Sequence, residues 1–330
     1  MDRNYHVFSD GRLERSDDTI RLVPEDGEKE YIPIENAEAL FLHGQIDFNT
    51  RLMSFLNDRT VALHVFGWED YYSGSVMPKR GQTSGKTVVN QVRAYDDSDH
   101  RRQIAAAIVR GSIHNMRTNV VYYNGRDHDL DGVVEELDAA AESVDEGLPV
   151  NELLGTEATA RKAYYRSFNE ILPGEFQLTQ REYNPPPNEI NSLISFGNSL
   201  VYANCVSAIR ATALDPTISY LHEPGERRYS LSLDLADLFK PVLADRVLFR
   251  LLNRNQISDD EFETELGSCL LDESGRKTYT KEFEETLERT VEHPTLNRKV
   301  SYQYLMRLEA YKLKKHLLTG EVYEPFQRWW

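Results

Sequence analysis

The chain has 330 residues, 40% of them apolar, which predicts a packed core and excludes a disordered chain. Its net charge of -16 arises from 54 acidic residues against 11 lysines and 27 arginines, and this excludes nucleic-acid binding through a broad positive field. Purely apolar runs are short and the amino terminus, MDRNYHVFSDG, is charged, so a cytoplasmic protein without a membrane span or signal is expected.

Acid excess with few lysines is also the composition of proteins from very salty cytoplasm. In molar salt the Debye length is about 3 Å, so DNA binding would rest on local arginine clusters and close phosphate contacts. An ordinary acidic cytoplasmic protein is the plainer alternative. The two cysteines, Cys205 and Cys269, form no paired metal motif and are expected as small buried side chains.

The first 80 or so residues read as short strands between turn signals. Asp10-Gly11 and Asp26-Gly27 are turn candidates. One helix, TRLMSFLNDR, interrupts them with an apolar stripe of Leu52, Phe55 and Leu56. His43 and His64 lie in strand-like stretches and are expected to be structural. The segment KRGQTSGKTVVNQVRAYDD then reads as an exposed hinge carrying Lys79, Arg80, Lys86 and Arg93. Its TSGKT lacks the leading glycine of a phosphate-binding loop, so no nucleotide site is expected there.

From residue 98 onward the pattern is helical. Candidate helices include HRRQIAAAIVRGSIHNMRTNVVYY, DLDGVVEELDAAAESV and NELLGTEATARKAYYRSFNEIL. A rigid PPPN at 185–188 starts a long apolar helix from Glu189 to about Thr212. DLADLFKPVLADRVLFRLLNR follows, and further helices cover roughly 280–291 and 298–318. The expected fold class is α+β: a small β-rich domain over 1–85, a linker over 86–97 and a larger all-α catalytic domain over 98–330.

Three polar side chains stand in apolar surroundings. Glu157 lies in LLGTEATARKAYY, with Arg161 one turn on as a possible ion-pair partner. His222 ends an apolar lead-in just before Pro224-Gly225. Asp234 and Asp237, in SLSLDLADLFKP, share roughly one helical face, and Asp234 could equally be an N-cap. Two acids and an imidazole would suit Mg²⁺ or Mn²⁺. Their separations of 65 and 15 residues form no compact motif, and each residue alone also has an ordinary structural explanation.

The block NSLISFGNSLVYANCVSAIRATALDPTISYLHEPGERRYSLSLDLADLFKP resembles the core of the CRISPR adaptation endonuclease and integrase family. LLGTEATARKAYY is similar to the family's glutamate motif, and GRLER, EYIPIENAEALFLHG and RRQIAAAIVRGSIHN match family patterns too. The resemblance places metal-binding and catalytic roles on Glu157, His222 and Asp237, with Asp234 as a supporting carboxylate. Ala158 stands where glycine is common, and Lys240 where arginine is usual. The lysine keeps the charge but loses the planar donor fork.

The resemblance implies transesterification. The 3′-hydroxyl of a short DNA fragment attacks a phosphodiester of a CRISPR repeat, with Mg²⁺ or Mn²⁺ as cofactor. Candidate DNA contacts are Arg227, Arg228, Lys240, Tyr164 and Tyr165. Implied partners are double-stranded DNA, a second copy of the chain dimerising through its sheet domain, and a small ferredoxin-like CRISPR adaptation protein in a heterohexameric complex. Lys312, Lys314 and Lys315 and the tail residues Phe326, Trp329 and Trp330 could touch DNA or partner. A structure-specific repair nuclease, a mobile-element integrase and a non-catalytic DNA-binding scaffold are the alternatives.

Overall fold

A computed structural model describes residues 3–24, 27–67, 71–79, 83–126, 128–182, 185–226, 228–265 and 267–330. Arg227, Arg80 and Asp26, singled out above, lie outside the described residues. The chain divides into two compact units, 1–82 and 83–330.

The first unit holds two four-stranded sheets. Its elements are β1 (Arg3–Val7), β2 (Gly11–Ser16), β3 (Thr19–Pro24), β4 (Glu30–Ile32), β5 (Ala37–Leu42), β6 (Ile46–Phe48), α1 (Thr50–Arg59), β7 (Ala62–Phe66) and β8 (Tyr72–Val76). One sheet runs β1-β5-β7-β8, parallel except for its last pair; the other runs β4-β3-β2-β6. Alternating residues supply a shared core in which Leu13, Ile20 and Leu40 pack with Leu52, Phe55 and Leu56 of α1. The stripe that predicted α1 is the stripe it buries. Asn49 caps the helix by accepting from the Leu52 amide at 3.1 Å.

The second unit is helical. It comprises α2 (Gly85–Asp96), α3 (Ser98–Asn124), α4 (Asp131–Glu142), α5 (Val150–Arg166), α6 (Phe168–Ile171), α7 (Glu189–Arg210), α8 (Ser230–Phe239), α9 (Ala244–Asn253), α10 (Glu273–Glu288) and α11 (Tyr302–Thr319). Two short ribbons, β9 (Phe262–Glu265) with β10 (Ser268–Leu271) and β11 (Thr290–Glu292) with β12 (Lys299–Ser301), punctuate it.

The stretch expected as a linker over 86–97 is instead almost entirely α2. Ser84 caps it, and Thr87, Gln91 and Ala94 form its buried face. Gln91 exchanges two hydrogen bonds with the backbone of Asp215, at 2.8 and 3.1 Å. A helix whose buried stripe is polar does not show as an apolar period.

The PPPN break does precede a helix: Asn188 accepts from the Asn191 amide and α7 begins at Glu189. This helix is long and apolar enough to cross a membrane, but most of it is buried among its neighbours. Cys205 and Cys269 are free and buried.

Candidate active site

Glu157 lies on the buried side of α5 with Leu153, Ala160 and Tyr164. Its Oε1 accepts from Arg161 Nε at 2.6 Å and also from Nη2. The same Nη2 lies 3.2 Å from Asp237 Oδ1. One guanidinium therefore joins acids carried by α5 and α8. Lys240 Nζ donates to Asp237 Oδ1 at 2.7 Å. Burial opposes ionisation of Asp237, but Lys240, Arg161 and His222 outweigh it and hold the carboxyl below the ordinary range.

Asp234 is fully buried, one turn before Asp237. It is inside α8 and is not its N-cap. Its Oδ2 accepts from the amides of Tyr220 and Leu221, at 2.7 and 3.1 Å. Its Oδ1 accepts from the amide of His222 at 2.9 Å and from the imidazole Nδ1 at 2.8 Å. With Nδ1 donating to a carboxylate, Nε2 keeps its lone pair. That Nε2 lies 3.8 Å from Asp237 Oδ2. Burial disfavours a charged His222, yet the bond to Asp234 and the negative field of Asp237 raise its pKa above the usual value.

Arg161 thus ties Glu157 to Asp237, and His222 stands beside Asp237 with Asp234 behind the imidazole. A carboxylate-oriented imidazole beside two acids is a donor set that fits a hard or borderline divalent cation. Among the described residues no three acidic, histidine or cysteine side chains stand grouped as a cation cage. Arg161 and Lys240 hold the acids instead.

The remaining candidates separate. Tyr164 is fully buried and donates its hydroxyl to Asp245 at 2.9 Å, so it fills the core and is withdrawn as a DNA contact. Tyr165 is half-buried against Phe168. Arg228 is exposed and donates to the Glu223 carbonyl at 2.6 Å. In the tail, Tyr323, Phe326 and Arg328 are buried. Trp329 donates to the Glu292 carbonyl at 3.1 Å, and Trp330 packs on Tyr302. Lys312 pairs with Glu309 and Lys315 with Glu321.

Two arginines have roles that spacing could not reveal. Arg161 shows as an i,i+4 partner of Glu157, but its reach to Asp237 depends on packing. Arg101 donates to the Tyr220 carbonyl at 3.0 Å and to Glu223 at 2.7 Å, bracing the His222 loop from α3. Tyr95, Arg101 and Arg102 line a cavity of about 630 Å³ beside this loop, with Leu221 and Glu223 on its other side.

The sequence profile of the family described as CRISPR associated protein Cas1 matches residues 5–285. A CRISPR-associated endonuclease Cas1 from Haloferax volcanii is 55% identical over 327 residues, covering 99% of each chain. A solved Cas1 protein from Thermotoga maritima superposes with a TM-score of 0.85 at 36% identity, covering 97% of this chain and 98% of that one. A chain of a Cas6-RT-Cas1–Cas2 complex has the same fold, with a TM-score of 0.84 at 18% identity, over 100% of this chain and 36% of that one. Whole-length likeness of this degree shows that the protein belongs to the CRISPR-associated Cas1 family.

Proposed function

We propose that Glu157, His222 and Asp237 hold the Mg²⁺ or Mn²⁺ ion of this enzyme, with Asp234 as the carboxylate that orients His222. The activity follows from the family: Cas1 proteins are metal-dependent endonucleases and integrases that join spacer DNA into CRISPR arrays by transesterification. The observation that carries the residue assignment is Asp234, a buried carboxylate whose oxygens bind three loop amides and one imidazole.

When bound, a divalent cation supplies Lewis acidity, favouring the ionised form of the attacking 3′-hydroxyl and offsetting charge on the phosphate. The chain's own groups do the rest. Asp234 keeps the Nε2 lone pair of His222 directed to the cluster. Arg161 and Lys240 compensate the acids and add positive charge where a phosphodiester enters. Arg228 is a phosphate contact on the loop surface. Arg227 is carried as a further contact.

Two ends of a repeat require two such centres. We assign the chain a homodimeric state with the sheet unit as dimerising element. The likeness to a chain from a complex with Cas2 supports a small ferredoxin-like partner of that kind, in a heterohexamer with double-stranded DNA. We assign the protein to the cytoplasm, where a CRISPR array would be reached.

The test is strand transfer of a short 3′-hydroxyl duplex into a supercoiled, repeat-bearing plasmid with Mn²⁺ or Mg²⁺ in high salt. Asp237→Ala is expected to abolish transfer with folding intact. Undiminished transfer would overturn the ligand assignment.

A further inference from the structure

Pro241 disrupts the backbone directly after Lys240. A carbonyl in an α-helix accepts from the amide four residues on, but proline has no amide hydrogen, so the Asp237 carbonyl loses its helical donor. The disturbance extends further. The amide of Val242 turns to the carbonyl of Phe239 at 3.0 Å, away from Leu238. The amide of Asp245 turns to Lys240 at 3.1 Å, away from Pro241. The carbonyls of Asp237, Leu238 and Pro241 thereby lack their helical partners in a buried region, where an unmet acceptor is costly.

Helix α3 meets all three. Ser112 Oγ donates to the Asp237 carbonyl at 3.2 Å. Asn115 Nδ2 donates to the Leu238 carbonyl at 2.8 Å. Asn119 Nδ2 donates to the Pro241 carbonyl. Residues 112, 115 and 119 follow the i, i+3, i+7 spacing of one helical face, and all three are fully buried. Gly111 permits the close approach: a Cβ there would stand 2.7 Å from Leu238 and 3.1 Å from Pro325.

Asn115 also binds the tail. Its Nδ2 donates to the Phe326 carbonyl at 3.1 Å, and its Oδ1 accepts from the Arg328 amide at 2.8 Å. Phe326 stacks on Phe239, the last residue of α8, with centroids 4.7 Å apart and planes within 8°.

We infer that Ser112, Asn115 and Asn119 are positioning residues for strand transfer, replacing the helical bonds that Pro241 removes and thereby holding Asp237 at the cation site. The inference rests on Asp237 being a ligand. The ladder acts through the backbone of α8, with Ser112 Oγ also accepting from Arg161 Nη2 at 3.4 Å, and it supplies no ligand to the cation. Its loss lets the Asp237 carboxylate move relative to Glu157 and His222, so it weakens cation binding and turnover while leaving DNA affinity alone.

The experiment measures Mn²⁺ binding by the full-length protein without DNA, from the paramagnetic resonance signal of free Mn²⁺, and separately kcat and KM for the DNA fragment. Asn115→Asp keeps the acceptor for the Arg328 amide but replaces the donor facing two carbonyls with an oxygen. It is expected to weaken Mn²⁺ binding about tenfold and to lower kcat with KM unchanged. Ser112→Ala removes a single hydroxyl, retains the fold and is expected to weaken Mn²⁺ binding a fewfold. Folded Ser112→Ala with wild-type Mn²⁺ affinity and kcat would overturn the inference, as would a change in DNA KM alone. Asp237→Asn separates the two levels. If it weakens Mn²⁺ binding and the ladder variants do not, only the positioning role fails; if it too binds normally, the ligand assignment fails and the positioning role fails with it.

Discussion

His64 and His222 occupy opposite electrostatic settings in the two units. His64 projects from β7 into the sheet unit with no exposed surface, between Phe41 at 4.9 Å and Tyr72 at 5.9 Å. Burial, reinforced by His6, lowers its pKa to about 3, so it is neutral at physiological pH. His222 is also largely withdrawn from water, yet Asp234 and Asp237 raise its pKa. Desolvation acts on both rings; only the second faces carboxylates strong enough to overcome it. A buried histidine is therefore informative about chemistry only through the groups around it.

Substitution should break this comparison if it is wrong. The largest effect belongs to His222→Ala, expected to lower strand transfer at least about 100-fold, since removing even an outer partner of a metal ligand costs about 10–100-fold. Gel quantification of joined product, normalised to folded protein, checks it. Asp234→Asn should follow, with about a 10–100-fold loss and a raised Mn²⁺ requirement, because the imidazole loses its anionic partner. Full activity in Asp234→Asn would show that the His222 loop holds itself.

His64→Ala tests the other side. It should cost about 3 kcal/mol of stability, from the cavity it leaves in the sheet unit. The turnover of the remaining folded molecules should not change. Denaturant melts paired with activity per folded molecule measure both, and a folded but inactive variant would erase the distinction between the rings.

The pH response sharpens it further. The folded pKa of His64 lies below its unfolded value of about 6.5. Its contribution is present above pH ~6.5 and is lost as pH falls toward about 3, because the unfolded chain binds the extra proton. Protection factors in peptides from β5 and β7, corrected for the intrinsic pH dependence of exchange, should therefore fall on acidification across that window, and His64→Phe should reduce the fall, the remainder belonging to His6, whose pKa burial also lowers to about 3.

The smallest effect is expected at the exposed pair between Arg166 and Glu136, where Glu136→Ala should change stability by less than about 1 kcal/mol.

Much of the architecture was legible from pattern. The apolar stripe of α1 and the PPPN break before α7 are local signals, and their elements begin where those signals stand. The helix α2 was hidden because polar Thr87 and Gln91 supply most of its buried face, Gln91 by hydrogen bonds to the distant backbone of Asp215. The candidate site came from resemblance to a family. Spacing alone could not link 157 and 237, because Arg161 reaches from one to the other only through the packing of α5 and α8. Ser112, Asn115 and Asn119 were illegible for the same reason: polar residues along α3 look solvent-facing until Pro241, more than 120 residues later, creates the acceptors they meet.

The four hydrogen bonds of Asp234 have a consequence for how this enzyme can vary. They count off Tyr220, Leu221 and His222 one amide at a time, so inserting or deleting a residue there would shift the ring out of register. Beyond Glu223, which Arg101 and Tyr95 anchor, the described residues 224–226 and 228 make none of these bonds. Exchanging those residues leaves the four bonds and the imidazole in place, so this surface loop can vary while the ring keeps its setting.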